Sequence, residues 1–397
     1  MKKILAMLLA LVMVLSLAAC SVEKAPVETN APETQAPVAE NPVETEPAGP
    51  APVEISLWTY PIGGWGNDAT VQELIAAFNA EYPHITVKVE YLDYSTGDDK
   101  VNTAIEGGAA PDLIMEGPER LVANWGEKGL MVDVSDLLDD TDIAELNPAA
   151  LAACYATNGA VYEYPLVMTA HCMAINKTVF EAAGAMQYID EATRTWTTEG
   201  FLKAVQAVYD YTGNTVGAVY CAGQGGDQGP RAIVNNMYGG TFTNAEHTAY
   251  TWDSAENIKA LQALYDAEGI AYDASLVGGD EIALFYQGVL NMAFCWNIAQ
   301  QLNPNSAGTG AGLTMSGDEI LFMGFPTEDG SAPALCGGIW GFGIFDNGND
   351  ARVQAAKQFI KYCCDSKATA DAVRTSTYLP VRSSAEGNDL VIFNTSE

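Results

Sequence analysis

Two carboxylates, Glu116 and Asp227, are the residues of this chain best placed by type to do acid–base work. A pair of carboxyl groups flanking a bond, one of them held protonated, is what glycoside hydrolysis requires. The supporting pieces of an active site are missing. There is no GxSxG elbow and no HExxH, and the three histidines, at 84, 171 and 247, lack ligand spacing for a metal. Catalysis, a metal and a cofactor are therefore not expected, and a hydrolase is kept only as a remote alternative. Two glycine-rich loops offer a different chemistry. The first, Tyr60-Pro61-Ile62-Gly63-Gly64-Trp65-Gly66, presents aromatic rings but has no lysine and no GxxxxGK[ST], so it does not read as a phosphate cradle. Rings suit the C–H faces of a sugar, whose hydroxyls need separate partners. The second, Cys221 to Arg231, supplies such partners in Gln224, Asp227, Gln228 and Arg231, a mixture of donors and acceptors fit for a polyol.

The elements that must hold these loops follow from periodicity. Ile55 to Thr59 is a short strand running into the first loop. Thr70 and Glu73 fit a capping box for a helix whose apolar residues are Val71, Leu74, Ile75 and Phe78, stopped by Pro83. Ile85 to Tyr91 alternates as a strand, and a helix over Asp99 to Glu106 with a strand at Leu113 to Met115 repeats the unit. Ligands of open α/β sheets sit beyond the carboxyl ends of strands, which selects Trp58, Tyr60, Trp65 and Glu116. Tyr162 to Lys177 is mostly apolar and reads as a strand buried on both faces, with Pro165 at its start. Thr169 and His171 lie two apart on it and point the same way. Thr197 starts a helix bearing Phe201, Val205 and Val208, with Trp196 packing beside it, and a strand near Val216 to Tyr220 leads into the second loop. A further helix runs from Ser254 to Glu268. Leu335 to Phe342 alternates large residues with glycine, so Trp340 can face a cleft or a core. A helix from Ala351 to Cys364 ends the ordered pattern.

At 397 residues with 48% hydrophobic content, the chain is long enough for two cores. A formal charge of −33 opposes nucleic acid and acidic lipid surfaces and favours a neutral or cationic small-molecule solute. Lys2 and Lys3 precede an apolar run from Ile4 to Leu17, the pattern of a secretory signal. Residues 21–52 are rich in proline and glutamate and form an extended tether. Beyond Cys20, seven cysteines remain, an odd number with no zinc spacing, and most read as buried thiols.

The stretch Tyr164-Pro165 to Asn176-Lys177 resembles the hinge crossing of the extracellular solute-binding proteins of ABC importers, the maltose-binding-like family. Ala110-Pro111-Asp112-Leu113, Thr195-Trp196-Thr197-Thr198, Gly288 to Phe294 and Tyr378-Leu379-Pro380-Val381-Arg382 resemble it further, in the family's order. Leu17-Ala18-Ala19-Cys20 resembles a bacterial lipobox, with Cys20 as the acylated residue. The resemblance implies an α/β, periplasmic-binding-protein-like fold of two lobes joined by hinge strands around a ligand cleft. It divides the chain into a lipoprotein signal (1–20), a tether (21–52), a first lobe (53–166 plus 292–343) and a second (167–291 plus 344–397). It makes Leu290 to Asn297 the return crossing, with Trp296 and Asn297 reaching the cleft. The function implied is capture of a carbohydrate by lobe closure and delivery to the permease subunits of an ABC importer. The protein would be a lipid-anchored monomer on the extracellular face of the cell membrane. A sugar phosphate bound through Arg231, a polyol, or a cation such as a polyamine are the alternative ligands.

Overall fold

The computed structural model describes residues 49–220, 222, 228–245, 248–297, 312–365, 369–376 and 378–385. Strand β1 (Val53–Thr59), helix α1 (Asp68–Glu81) and strand β2 (Ile85–Tyr91) form the first unit, and β1 pairs in parallel with both β2 and β3 (Leu113–Glu116). Helix α1 buries Val71, Leu74, Ile75 and Phe78, the residues its periodicity selects. Its cap is not Thr70. Asn67 accepts from the amides of Ala69 and Thr70, which starts the helix earlier than the capping-box reading and makes Thr70 a first-turn residue. Helix α2 (Gly97–Glu106) precedes β3, all of whose residues are buried.

Strand β4 (Tyr164–Asn176) is shared between two sheets. Its first half pairs antiparallel with β9 (Cys336–Ile344) and β10 (Leu379–Pro380), and its second half with β7 (Met292–Trp296) and β8 (Ile320–Met323). The register against β9 slips between Pro165 and Val167, where proline offers no N–H to the ladder. Tyr164, Leu166 and Val167 belong to one hydrophobic core, and Met173 and Ile175 to another, so the strand crosses between two lobes.

The second core is built by helix α3 (Thr198–Thr212), strands β5 (Gly217–Tyr220) and β6 (Ile270–Asp273), and helices α4 (Gln228–Tyr238) and α5 (Ala255–Asp266), while helix α6 (Gly278–Tyr286) closes a smaller cluster around Trp296. Thr197 caps α3 by accepting from the Gly200 amide at 2.9 Å, and Trp196 packs edge-on against Phe201, as its position implied. Among the described residues no helix is long and apolar enough to cross a membrane.

Two expectations about the lobes fail. Leu290 to Asn297 does not return to the first lobe: β7 lies on β4's second half, and Met292 and Phe294 pack in the second core. The returning strand is β9, which pairs with β3 and carries Phe342 and Ile344 into the first core. Helix α7 (Asp350–Asp365), expected in the second lobe, places Ala356, Phe359, Ile360 and Cys363 in the first core, as helix α8 (Thr369–Ser376) does with Ala372 and Val373. Each large side chain so buried stabilises by about 1.5–3 kcal/mol, which is why a C-terminal apolar helix docks where an open face awaits it. By packing, then, the described residues of 292–297 and 320–325 go with the second lobe and those of 345–365, 369–376 and 378–382 with the first. Arg382 fastens that last segment: its guanidinium meets Asp142 at 2.5 Å, Glu145 at 2.8 Å, the Cys364 carbonyl at 2.9 Å and the Tyr164 hydroxyl at 3.1 Å.

Candidate functional site

The carboxyl ends of β1 and β3 carry the first half of the site. Tyr60 follows β1, and its ring stacks on Tyr94 with centroids 4.9 Å apart. The Arg120 guanidinium lies over both rings, 5.3 Å from Tyr60 and 5.9 Å from Tyr94. It forks onto Asp98, with Nε to Oδ1 at 2.9 Å and Nη2 to Oδ2 at 3.1 Å, and its Nη1 donates to Glu116 Oε1 at 2.6 Å. The Tyr60 hydroxyl also donates to Asp98.

Three carboxyl groups meet Arg120; exposed Glu119 is the farthest, with Oε1 3.5 Å from Nη1, and the two closer ones are electrostatically unequal. Burial works against ionisation of Asp98, but the hydrogen bonds from Arg120 and Tyr60 outweigh it and hold its pKa below the usual range. For Glu116 burial wins. It pushes the pKa up to about 8; Arg120 opposes this, while Glu119 and Asp98 reinforce it. Asp98 is thus the counter-ion of Arg120, and Glu116 is a neutral acid near pH 7. Its Oε2 has no hydrogen-bond partner. Beside β4, Glu163 is fully buried with neither oxygen partnered, and burial, then Glu119 and Glu116, raises its pKa well above the ordinary value.

The second half of the site lies on β9 and β4. Register pairs Val167 with Trp340, Thr169 with Gly338 and His171 with Cys336, so these residues share one face. The Trp340 indole lies along its own strand: a Cβ on Gly338 would stand 2.1 Å from its Cη2. It stacks on Tyr378 with centroids 4.8 Å apart and planes 21° apart. The Tyr378 phenol is raised by burial first, then by Cys295 and Glu116, which places this stack within electrostatic reach of Glu116 and of the end of β7. Thr169 Oγ1 and His171 Nδ1 are buried without partners. Burial lowers the His171 pKa to about 4, with a backbone hydrogen bond at Cys336 working the other way, so the imidazole is neutral at pH 7.

The structure therefore brings Tyr60, Glu116, Thr169, His171 and Trp340 into one region, and it packs the tryptophans at 65 and 296 into cores instead. Trp65 is fully buried and meets Phe342 edge-on at 5.4 Å in the first core. Trp296 is 1% exposed and packs against Phe285 and Tyr286, and Asn297 is buried beside it. Both rings fill cores because apolar partners from distant parts of the chain converge on them. Trp58 is half-buried, with Lys100 Nζ 5.2 Å over its ring. Arg231 is exposed on α4. Gln224 and Asp227 lie outside the described residues, so the pairing of Asp227 with Glu116 has no geometry to support it. Sequence reasoning missed Arg120, Asp98, Tyr94 and Glu163. The Glu116-to-Arg120 spacing of one helical turn was the available signal. No group of described residues has the makings of a metal site, and the six described cysteines are free thiols.

The fold is that of several solved sugar- or polyol-bound proteins. The GacH receptor of Streptomyces glaucescens, solved unliganded and with acarbose, aligns with a TM-score of 0.67 at 20% identity, over 85% of this chain and 83% of that one. A solute-binding protein of Agrobacterium radiobacter in complex with ribitol aligns at 0.69 and 20%, over 86% and 83%. Maltose-bound MalE3 of T. maritima aligns at 0.65 and 18%, over 85% and 84%. No curated protein matches the chain by sequence. The profile of the bacterial extracellular solute-binding proteins matches residues 73–392, most of the chain, and with the two lobes joined through β4 and β9 it makes this protein a member of that family.

Proposed function

We propose that the protein captures an uncharged carbohydrate or polyol between its lobes and hands it to the permease of an ABC importer. The observation that carries this reading is the Trp340–Tyr378 stack set beside three unpartnered polar atoms, Glu116 Oε2, Thr169 Oγ1 and His171 Nδ1. A ring face with unpaired donors and acceptors around it is what a sugar's C–H face and hydroxyls require. Charge argues against the alternatives. Arg120 is already neutralised by Asp98, which disfavours a sugar phosphate there, and a neutral Glu116 offers no anion to a polyamine. The acarbose, ribitol and maltose bound by the structural neighbours support the same class. Membership of a solute-binding family supports a transport role without catalysis.

The test is calorimetry against maltose, ribitol, mannitol, acarbose and spermidine, with the wild type and Trp340→Ala. Binding of at least one neutral polyol, weakened about tenfold or more in the variant, is expected, since stacking and ring burial together contribute on the order of 1–2 kcal/mol. Binding of spermidine alone would overturn the reading. We also propose that Cys20 anchors the chain to the outer face of the membrane through an acyl group and that residues 21–52 space it from the surface. Cys20→Ala is expected to remove the protein from the membrane fraction or to leave an unprocessed precursor; mature membrane-bound variant would refute the anchor.

A further inference from the structure

On the opposite side of β4 from Thr169 and His171, a cavity of about 420 Å3 opens beside the hinge. Residues alternate across a strand, so Ala170 and Cys172, which line this cavity, point away from the face that carries Trp340. Other walls come from Trp296 at the end of β7, Phe322 on β8 and Leu335 immediately before β9. Ala170 is exposed and Leu335 is 48% exposed, which puts the mouth between the two crossing strands. The volume lies within the range of small-molecule pockets, and the lining is predominantly apolar, with Thr193, Thr195 and Asn297 as its uncharged polar members.

One cation breaks that apolar lining. Arg194 stands at the cavity wall with its guanidinium 4.6 Å over the Phe322 ring, and Nη1 donates to the Phe322 carbonyl at 3.3 Å. Among the described residues no carboxylate comes within ion-pair distance of it, in a chain that carries 51 acidic residues. Its backbone is the single described non-glycine residue at positive φ, 57°. That conformation is uncommon for a side-chain-bearing residue, and the surrounding structure holds it in place: the Gly324 amide donates to the Arg194 carbonyl at 2.8 Å. Across the cavity, burial raises the Cys172 thiol to about 12 while Arg194 pulls it down, so the guanidinium is sensed at the β4 wall.

We propose that this cavity is a second ligand site, distinct from the sugar-binding face, which takes a small arylalkyl monocarboxylate. Its ring would lie against Phe322 and Leu335, and its carboxylate would pair with the unfilled donors of Arg194. An arginine stacked on a ring presents its remaining N–H groups in a plane, which matches a carboxylate. The site stands on residues that the carbohydrate reading does not use, so either can fail without the other.

The test is calorimetry of the purified protein with 3-phenylpropionate and with 3-phenylpropanol, its neutral counterpart. Saturable one-to-one binding of the acid is expected, at least tenfold tighter than the alcohol. Arg194→Gly should weaken the acid by tenfold or more and leave the alcohol unchanged. Glycine adopts φ near +57° freely, so this variant keeps the fold. Ala170→Phe should abolish both by filling the mouth, with the melting temperature read alongside. Trp340→Ala, on the other face, should leave acid binding intact. No saturable binding, equal affinity for acid and alcohol, or an unchanged affinity in Arg194→Gly would overturn the proposal. Loss of acid binding in Trp340→Ala would place the carboxylate in the sugar-binding face instead.

Discussion

Replacing Glu116 by glutamine isolates the most unusual electrostatic feature of the site. The carboxyl is 1% exposed, and its pKa rises on folding from 4.5 to about 8, chiefly through burial. Between those values the native state holds a proton that the unfolded state has released. The native state thus binds more protons, and stability falls as pH climbs through the window, being fully present only below about 4.5. At ~1.4 kcal/mol per pKa unit the whole window would amount to at most about 5 kcal/mol. The effective dielectric even of buried sites is well above that of a dry interior, so about 1–3 kcal/mol is the expected share. Glutamine keeps an oxygen for Arg120 Nη1 and nothing to titrate. Urea denaturation followed by tryptophan fluorescence at pH 5, 6, 7 and 8 should show similar stabilities at pH 5. At pH 8 the variant should be the more stable by about 1–3 kcal/mol. Glu281, raised to about 8 chiefly by burial, and Glu163 slope the same way in both proteins, so the comparison rests on the difference between the curves. Parallel curves over that range would show that Glu116 is already ionised in the native state and that the neutral-site argument is mistaken.

Three other outcomes follow from the packing. Gly338→Ala should drive the Trp340 indole off Tyr378, because a Cβ would sit 2.1 Å from it; a red-shifted tryptophan emission with a stability change of only about 0.5–1.5 kcal/mol is expected. Trp65→Ala should cost about 3–5 kcal/mol of stability as a core cavity, whereas Trp65→Phe should cost much less, since the indole Nε1 has no acceptor to lose; melting curves of the pair decide it. Arg382→Ala removes one member of a buried ionic cluster. It should destabilise by about 3 kcal/mol, near the low end for such pairs because Lys361 remains 3.1 Å from Asp142, and chemical denaturation measures it.

What could be read from the sequence was what is local. The strand–helix–strand start of the chain follows from periodicity within a few residues, and so does α1's buried face, although Asn67 and Thr70 both fit a cap and only the backbone path chose between them. The crossing at Tyr164–Asn176 was legible because a strand buried along most of both faces has to be mostly apolar, although Ala170 on it is exposed. The return crossing was not, since Met292–Trp296 and Cys336–Ile344 are both apolar and short. Pairing with β3 rather than with β4's second half distinguishes them, and pairing is a property of two distant segments. The tryptophans failed for the same reason. Nothing near Trp65 announces Phe342, and nothing near Trp296 announces that Phe285 and Tyr286 will close over it.

The acidity of the chain was a coarser guide than the site itself. A charge of −33 suggested a neutral or cationic partner, but the site's own charge is set by four residues that the fold gathers. Asp98 takes the proton-free role because two donors converge on it; Arg120 is thereby neutralised, and Glu116, although it too accepts from Arg120, keeps its proton because burial outweighs that contact. With His171 also neutral, the described part of the recognition face presents rings, one hydroxyl and uncharged acids and bases. A cation would find only the exposed Glu119, 3.5 Å from the already paired Arg120, and an anion no free cation. Local pairing rather than net charge therefore points to an uncharged, hydroxyl-rich ligand, because interactions with exposed charges farther off fade within a Debye length of about 8 Å while buried neutral donors and acceptors keep their full preference for a matching partner.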